Sequence, residues 1–594
     1  MKDSLRGFRL LIAFGFRSAP WQAALFLACG ALMALTVPVA SFGAKLLVDA
    51  ATSGSFPKGL MAALVMALTA GIGLALVLYY VDFLFTVAER AGVMADKRLM
   101  ELMGGVVGLA HHELPEYLDQ LELLREERRM LAWMTNATAG LLRVVVQLAA
   151  SVVLLARLQP LLLLLPLFGV ASFLAGKRAQ DLQIQAREAA AESERLRRHL
   201  FGVATSAAVG KELRVFGLEA ELLKRHHAVA DTAIGARNRA DWQSAGFRAI
   251  DALVFGVAYV GAIGLVLVRA VRGQATPGDV VLTIGLAAGM NGIVSTAVGY
   301  GTHFLSVLKT ARRYLWLEDY ARSVQRTPLD PAPAPRRLTS GIELRDVTFR
   351  YPGSKRAVLA NVSLRLAAGS VVALVGENGA GKTTLAKLLC RFYEPDSGLV
   401  LIDGVELQRF PVEKWRARLS VAFQDHSRFE LLAREAVGVG HLPCIEDQSA
   451  VQAALVRADA ADVPESLPEG LETQLGKAWE GGVDLSGGQW QKLALGRALM
   501  RTEPLLVIFD EPTAALDAQT EHALFERFAA AARAGESAGT VTLLVSHRFS
   551  TVRMADLIIV LDGGRIVEQG SHQELIGRNG LYAELYRLQS RAYQ

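Results

Sequence analysis

Cysteine is almost missing from this chain: three in 594 residues, Cys29, Cys390 and Cys444. They are too scattered to frame a disulfide core or to ligate zinc, and they suit a reducing compartment. Charged residues are scarce too, at 20%, and aromatic ones stand at 7%. No cleavable leader is visible, because residues 1–20 mix Lys2, Arg6, Arg9 and Arg17 with apolar residues and lack a small-residue cleavage site. Instead they predict an amphipathic helix lying on a membrane surface, basic side towards the headgroups. Nor is there a nucleic-acid module. The net charge of +5 is better explained by the Lys and Arg excess that membrane proteins carry on cytoplasmic segments.

What is abundant is hydrophobicity, 52% of residues with a mean hydropathy of +0.30. It is concentrated in the first 310 or so positions. A bilayer span needs about 20 mostly apolar residues. Six segments qualify, at about 21–47, 59–84, 138–157, 159–176, 249–269 and 278–300. Pro160 and Pro166 separate the third from the fourth. Links of one polarity are short. The other two, about 85–137 and 177–248, are long and rich in Arg and Lys, which places them in the cytoplasm. Ala, Leu, Glu, Gln and Arg without Gly or Pro make residues 177–200 helical. Helices therefore extend well beyond the bilayer. Asp82, Arg143 and Asp251 lie near span ends and reach water. Asn291 lies mid-span, where it either bonds a neighbouring helix or lines a path. So few charges suit an amphipathic or apolar cargo.

A proline-dense segment, residues 326–340, ends the membrane domain (1–325) as a semi-rigid spacer and opens a glycine-punctuated α/β domain (341–594). Ile342–Tyr351 alternates as a strand. Val371–Val375 is a buried strand that leads into Gly376-Glu377-Asn378-Gly379-Ala380-Gly381-Lys382-Thr383, followed by Thr384 and a helix. This is the P-loop in its proper context. Glycines admit backbone N–H groups to phosphate, Lys382 reaches the β- and γ-phosphates, and the Thr383 hydroxyl can ligate Mg²⁺. Further on, Leu485-Ser486-Gly487-Gly488-Gln489 precedes the apolar strand Leu505–Phe509, which ends in Asp510-Glu511. A glycine turn capping a helix with Ser would explain the LSGGQ residues locally. It would not explain their place between the other two motifs.

The order of these motifs resembles the ABC family, and the membrane half resembles its exporter-type fold. That resemblance implies a six-helix transmembrane domain fused to a P-loop ATPase, working as a dimer. Each ATP would be held by the P-loop of one chain and by Ser486, Gly487, Gly488 and Gln489 of the other. It further implies that Tyr351 stacks on adenine, that Gln424 binds Mg²⁺ or the attacking water, and that Asp510 holds Mg²⁺. Glu511 would act as general base, Ala515-Leu516-Asp517 as the D-loop, and His547 as the switch histidine on the γ-phosphate. The segment after Gln424 departs from the usual exporter wording, and Gly481 stands where an Arg is more usual. Short cytoplasmic turns near Pro115–Leu121 and Val209–Gly217 would touch the ATPase. The expected function is ATP-driven export of a drug-, peptide- or lipid-like substrate across the cytoplasmic membrane. A siderophore-type importer, a lipid flippase and a non-transport ATPase are the alternatives. An attached protease domain is not expected, since about 20 residues precede the first span.

Overall fold

The computed structural model describes residues 2–207, 209–324, 330–511, 539–546 and 548–592. The chain divides into two compact units, Met1–Gly104 with Glu122–Asp319, and Gly105–Leu121 with Tyr320–Gln594.

The first unit is helical. Its elements are α1 (Lys2–Ser18), α2 (Pro20–Thr52), α3 (Phe56–Gly104), α4 (Pro115–Ala132), α5 (Met134–Leu158), α6 (Leu165–Ala189), α7 (Ala191–Thr205), α8 (Gly210–Val215), α9 (Glu219–Val271) and α10 (Pro277–Val324). At about 1.5 Å per residue, α3, α9 and α10 are each roughly 70–80 Å long. That is more than twice a hydrocarbon core of about 30 Å, so these helices run far past any bilayer. Among the described residues five helices, α2, α3, α5, α9 and α10, are long and apolar enough to cross one. The segment 159–176 is not a single helix. Pro160 opens a 3₁₀ turn through Leu164, and α6 starts at Leu165 and runs on into the charged stretch after Gly176. A proline at each start removes a backbone donor that a continuous helix would need.

Helix α1 packs on other helices. Phe14 meets Tyr314 edge-on at 6.1 Å, and Arg6 grips Asp319 with two bonds of 2.9 Å. Elsewhere, Phe26 of α2 stacks on Tyr80 of α3 at 4.6 Å. Lys45 pairs with Asp279, and the Gly278 N–H donates to Asp49 at 2.9 Å, which ties the end of α2 to the start of α10.

The second unit contains two sheets. Strands β1 (Gly341–Phe349), β2 (Leu359–Ala367), β4 (Ser397–Ile402) and β5 (Val405–Glu406) form an antiparallel sheet in the order β2-β1-β4-β5. The larger sheet joins β3 (Val371–Gly376), β6 (Leu419–Ala422), β7 (Leu506–Asp510), β8 (Val541–Val545), β9 (Leu557–Asp562) and β10 (Arg565–Gly570), in the order β10-β9-β3-β8-β7-β6. Among its described strands only β10 runs antiparallel to its neighbour. Strands β3, β7 and β8 are apolar runs because helices cover both faces of a parallel sheet. The predicted strand 342–351 stops at Phe349, which leaves Tyr351 in the turn beyond it.

The spacer is pinned at its far end. The Asp403 carboxylate accepts from the N–H groups of Thr339, Ser340 and Gly341 and from the Ser340 hydroxyl, at 2.7–3.1 Å. Burial alone would raise the Asp403 pKa, but these donors outweigh it and hold the carboxyl below its ordinary value. A depressed carboxylate contributes stability at neutral pH that is lost as pH falls through its folded pKa. We expect Asp403→Asn to cost about 1–2 kcal/mol at pH 7. The difference from the parent should shrink below about pH 4. Thermal unfolding in detergent at the two pH values measures both.

Candidate functional site

The P-loop leaves the carboxyl end of β3 and enters the helix Lys382–Leu389. Its path requires glycine. Gly381 has φ +102°, and a Cβ there would lie 2.8 Å from Leu359 and 3.0 Å from the Val358 carbonyl. The loop tip at Asn378 and Gly379 is exposed, while Ala380 is buried. Lys382 is buried too, and its ammonium donates to the carbonyls of Gly376 at 2.8 Å and Glu377 at 3.0 Å. Burial lowers its pKa, against the opposing charges of Glu511 and Asp510. Asp510, at the end of β7, is pushed up by burial, and the Thr383 hydroxyl partly offsets this by donating to it at 3.3 Å.

Two side chains close the site from β6 and β7. The Gln424 amide donates to Glu511 at 3.0 Å. Glu511 sits in the left-handed region with φ +45°, strain of a kind that collects at functional positions. Its N–H donates to the Val545 carbonyl of β8 at 3.0 Å, which fixes where the carboxylate starts. Lys382, Thr383, Gln424, Asp510 and Glu511 are thus brought together.

Tyr351 stands at the other flank. Its hydroxyl shares a 3.0 Å hydrogen bond with Thr384, and its ring meets Phe349 and Tyr393 edge-on at 5.1 and 5.3 Å. Ser486 caps the helix Gly487–Ala498 in a reciprocal capping box with Gln489. Among the described residues no hydrogen bond joins this segment to the P-loop. Asp517 and His547 lie outside the described residues.

Some residues at this site carried no sequence signal. Tyr393 donates to Glu113 at 2.8 Å, and Arg416 donates to the Val107 carbonyl at 2.7 Å. The Leu109 N–H donates to the Phe392 carbonyl at 3.1 Å. These bonds hold residues 107–113 against the ATPase sheet, across some 280 positions of sequence. No local pattern encodes such a pairing.

An ABC transporter family profile matches residues 359–514, which span the P-loop, the LSGGQ segment and Asp510-Glu511. A bacterial Atm1-family ABC exporter, solved with ATP bound, superposes with a TM-score of 0.71 at 25% identity, over 97% of this chain and 98% of that one. The chain carries an ABC transporter domain on an exporter-type fold. Among curated relatives, an ATP-dependent lipid A-core flippase of Cupriavidus metallidurans is 46% identical over 246 residues, 41% of this chain and 40% of that protein. Another, of Pseudomonas aeruginosa, is 35% identical over 378 residues, 63% and 60% of the two chains. The chain spans about half the length of the curated relatives it matches. Its ABC domain binds ATP, and its apolar helices make it a multi-pass membrane protein.

The loop's packing gives a direct check. Gly381→Ala forces a Cβ against the Val358 carbonyl and should weaken ATP binding more than about tenfold, roughly 1.4 kcal/mol. A fluorescent-nucleotide titration reads this, and unchanged affinity would show that the loop relaxes freely.

Proposed function

We propose that this chain is one half of a dimeric, ATP-driven exporter in the cytoplasmic membrane, moving an amphipathic, lipid-like substrate by alternating access. The observation that carries this reading is the convergence of Lys382, Thr383, Gln424, Asp510 and Glu511 in a chain whose other unit is built from membrane-length apolar helices. The flippase names of the relatives support a lipid-like cargo.

Backbone N–H groups of Gly376–Thr383 and the Lys382 ammonium hold the phosphates, and Tyr351 offers its ring to adenine. The Thr383 and Asp510 oxygens, already adjacent, suit Mg²⁺, which takes one or two protein ligands beside phosphate oxygens. When bound there, it would neutralise charge on the phosphates. Glu511 accepts a proton from the water attacking the γ-phosphorus as the bond to ADP breaks, and Gln424 orients that water. Asp517 and His547 are assigned from the sequence to the D-loop and to γ-phosphate contact.

Ser486–Gln489 would complete the partner chain's site. Their amides and helix N-terminus favour an anion, and they make no bond to their own P-loop among the described residues. Val215 and Phe216, 77% and 68% exposed on and just after α8, are an apolar pair suited to burial in such a dimer.

Glu511→Gln should still bind ATP while hydrolysis falls by about 10²–10⁴-fold. Hydrolysis at the parental rate would refute the base assignment. Mass measurement of the detergent complex should give two copies, and lipid transport in inverted against right-side-out vesicles should run outward.

A further inference from the structure

The helix that Ser486 caps ends in a half-buried arginine with no acidic partner among the described residues. Arg497 donates through Nε to the Ala436 carbonyl at 2.8 Å and through Nη1 to the Ser427 carbonyl at 3.1 Å. Its guanidinium lies 4.4 Å from the centroid of the Phe429 ring. Its remaining nitrogen, Nη2, is buried without a hydrogen-bond partner, and burial pushes its pKa down to about 10. Such burial costs free energy, and an apolar side chain of similar volume would often serve stability as well. All three contacts fall within residues 427–436, which begin three residues after Gln424. Backbone fit reinforces the junction: a Cβ on Gly440 would lie 1.9 Å from the Arg497 carbonyl.

We propose that Arg497 is a positioning residue that makes the LSGGQ helix and the Gln424 segment move as one body, so that closure of the ATP sandwich over Ser486 fixes how Gln424 is held against Glu511. The inference rests on the ATPase reading above. A planar fork can address two carbonyls and a ring face at once, whereas a lysine ammonium is a single mobile point charge. The contact thus transmits orientation as well as charge. Gln424 is bonded to Glu511, so a shift of residues 427–436 reaches the attacking water through that amide.

The test is a cycle of Arg497→Lys and Gln424→Ala in the full-length dimer, measuring ATPase kcat, KM for ATP and melting temperature. Arg497→Lys should lower kcat about five- to tenfold with KM within about twofold, the split expected when an interaction matters only to the reacting state. In the Gln424→Ala background it should have no further effect, because its route is already cut. Phe429→Leu, which leaves the charge and both carbonyl bonds in place, should give a smaller fall with the same pattern. Additive losses, or kcat and KM worsening together with a lowered melting temperature, would make Arg497 merely structural and overturn the proposal. An inactive parental enzyme would refute the ATPase reading itself.

Discussion

Lys382 opens the helix that follows β3 and its loop, and Asp510 ends β7; the two strands belong to one sheet and are separated only by β8. Both are largely removed from water, and burial drives both towards their neutral forms. A buried cation and a buried anion this close are tolerable because each offsets the other's desolvation. The sheet must be parallel and covered on both faces to hold these groups there. The P-loop must turn through left-handed glycines to bring backbone donors to the same point, and Glu511 must accept a strained backbone to face it.

The ATPase unit is organised around that point at increasing distance. Thr383 and Gln424 touch the two carboxylates directly. Tyr351 borders the site through Thr384 and passes contact on to Tyr393, whose hydroxyl ends on Glu113. Arg416 and Arg497 are the same device used twice. Each is a half-buried guanidinium that donates to backbone carbonyls and faces one aromatic ring, Phe392 and Phe429 respectively. One fastens Val107 to the turn at Cys390 and Arg391, the other fastens the LSGGQ helix to the Gln424 segment. Carbonyls and ring faces attract a cation without neutralising it, so such joints hold orientation firmly and are sensitive to geometry.

Much of this architecture was legible in the sequence because its determinants are local. The P-loop needs glycines and a lysine at fixed spacing, a buried parallel strand needs a short apolar run, and a membrane-length helix needs an unbroken one. Element ends and partners were less legible. The stretch 159–176 reads as a span opened by proline, and the structure places a 3₁₀ turn at Pro160–Leu164 before a helix that runs on into charged residues. The N-terminal helix was legible as a helix, but not that Phe14 and Arg6 would meet Tyr314 and Asp319 of α10. Similarly, the strand predicted to reach Tyr351 ends two residues early, which frees that ring to border the site.

By itself, the sequence determined the chemistry: a phosphate-binding loop, two carboxylates at a strand end, a serine-capped glycine turn, and helices long enough for a membrane. These follow from residue type and short spacing, which act through bonds and helix or strand geometry alone. Only the tertiary structure decided which distant groups meet. Glu113 under Tyr393, Val107 on Arg416, and Arg497 across Ser427 and Ala436 join residues between 61 and 309 positions apart. Each of those contacts depends on how sheet and helices pack in three dimensions, and no periodicity along the chain carries that information.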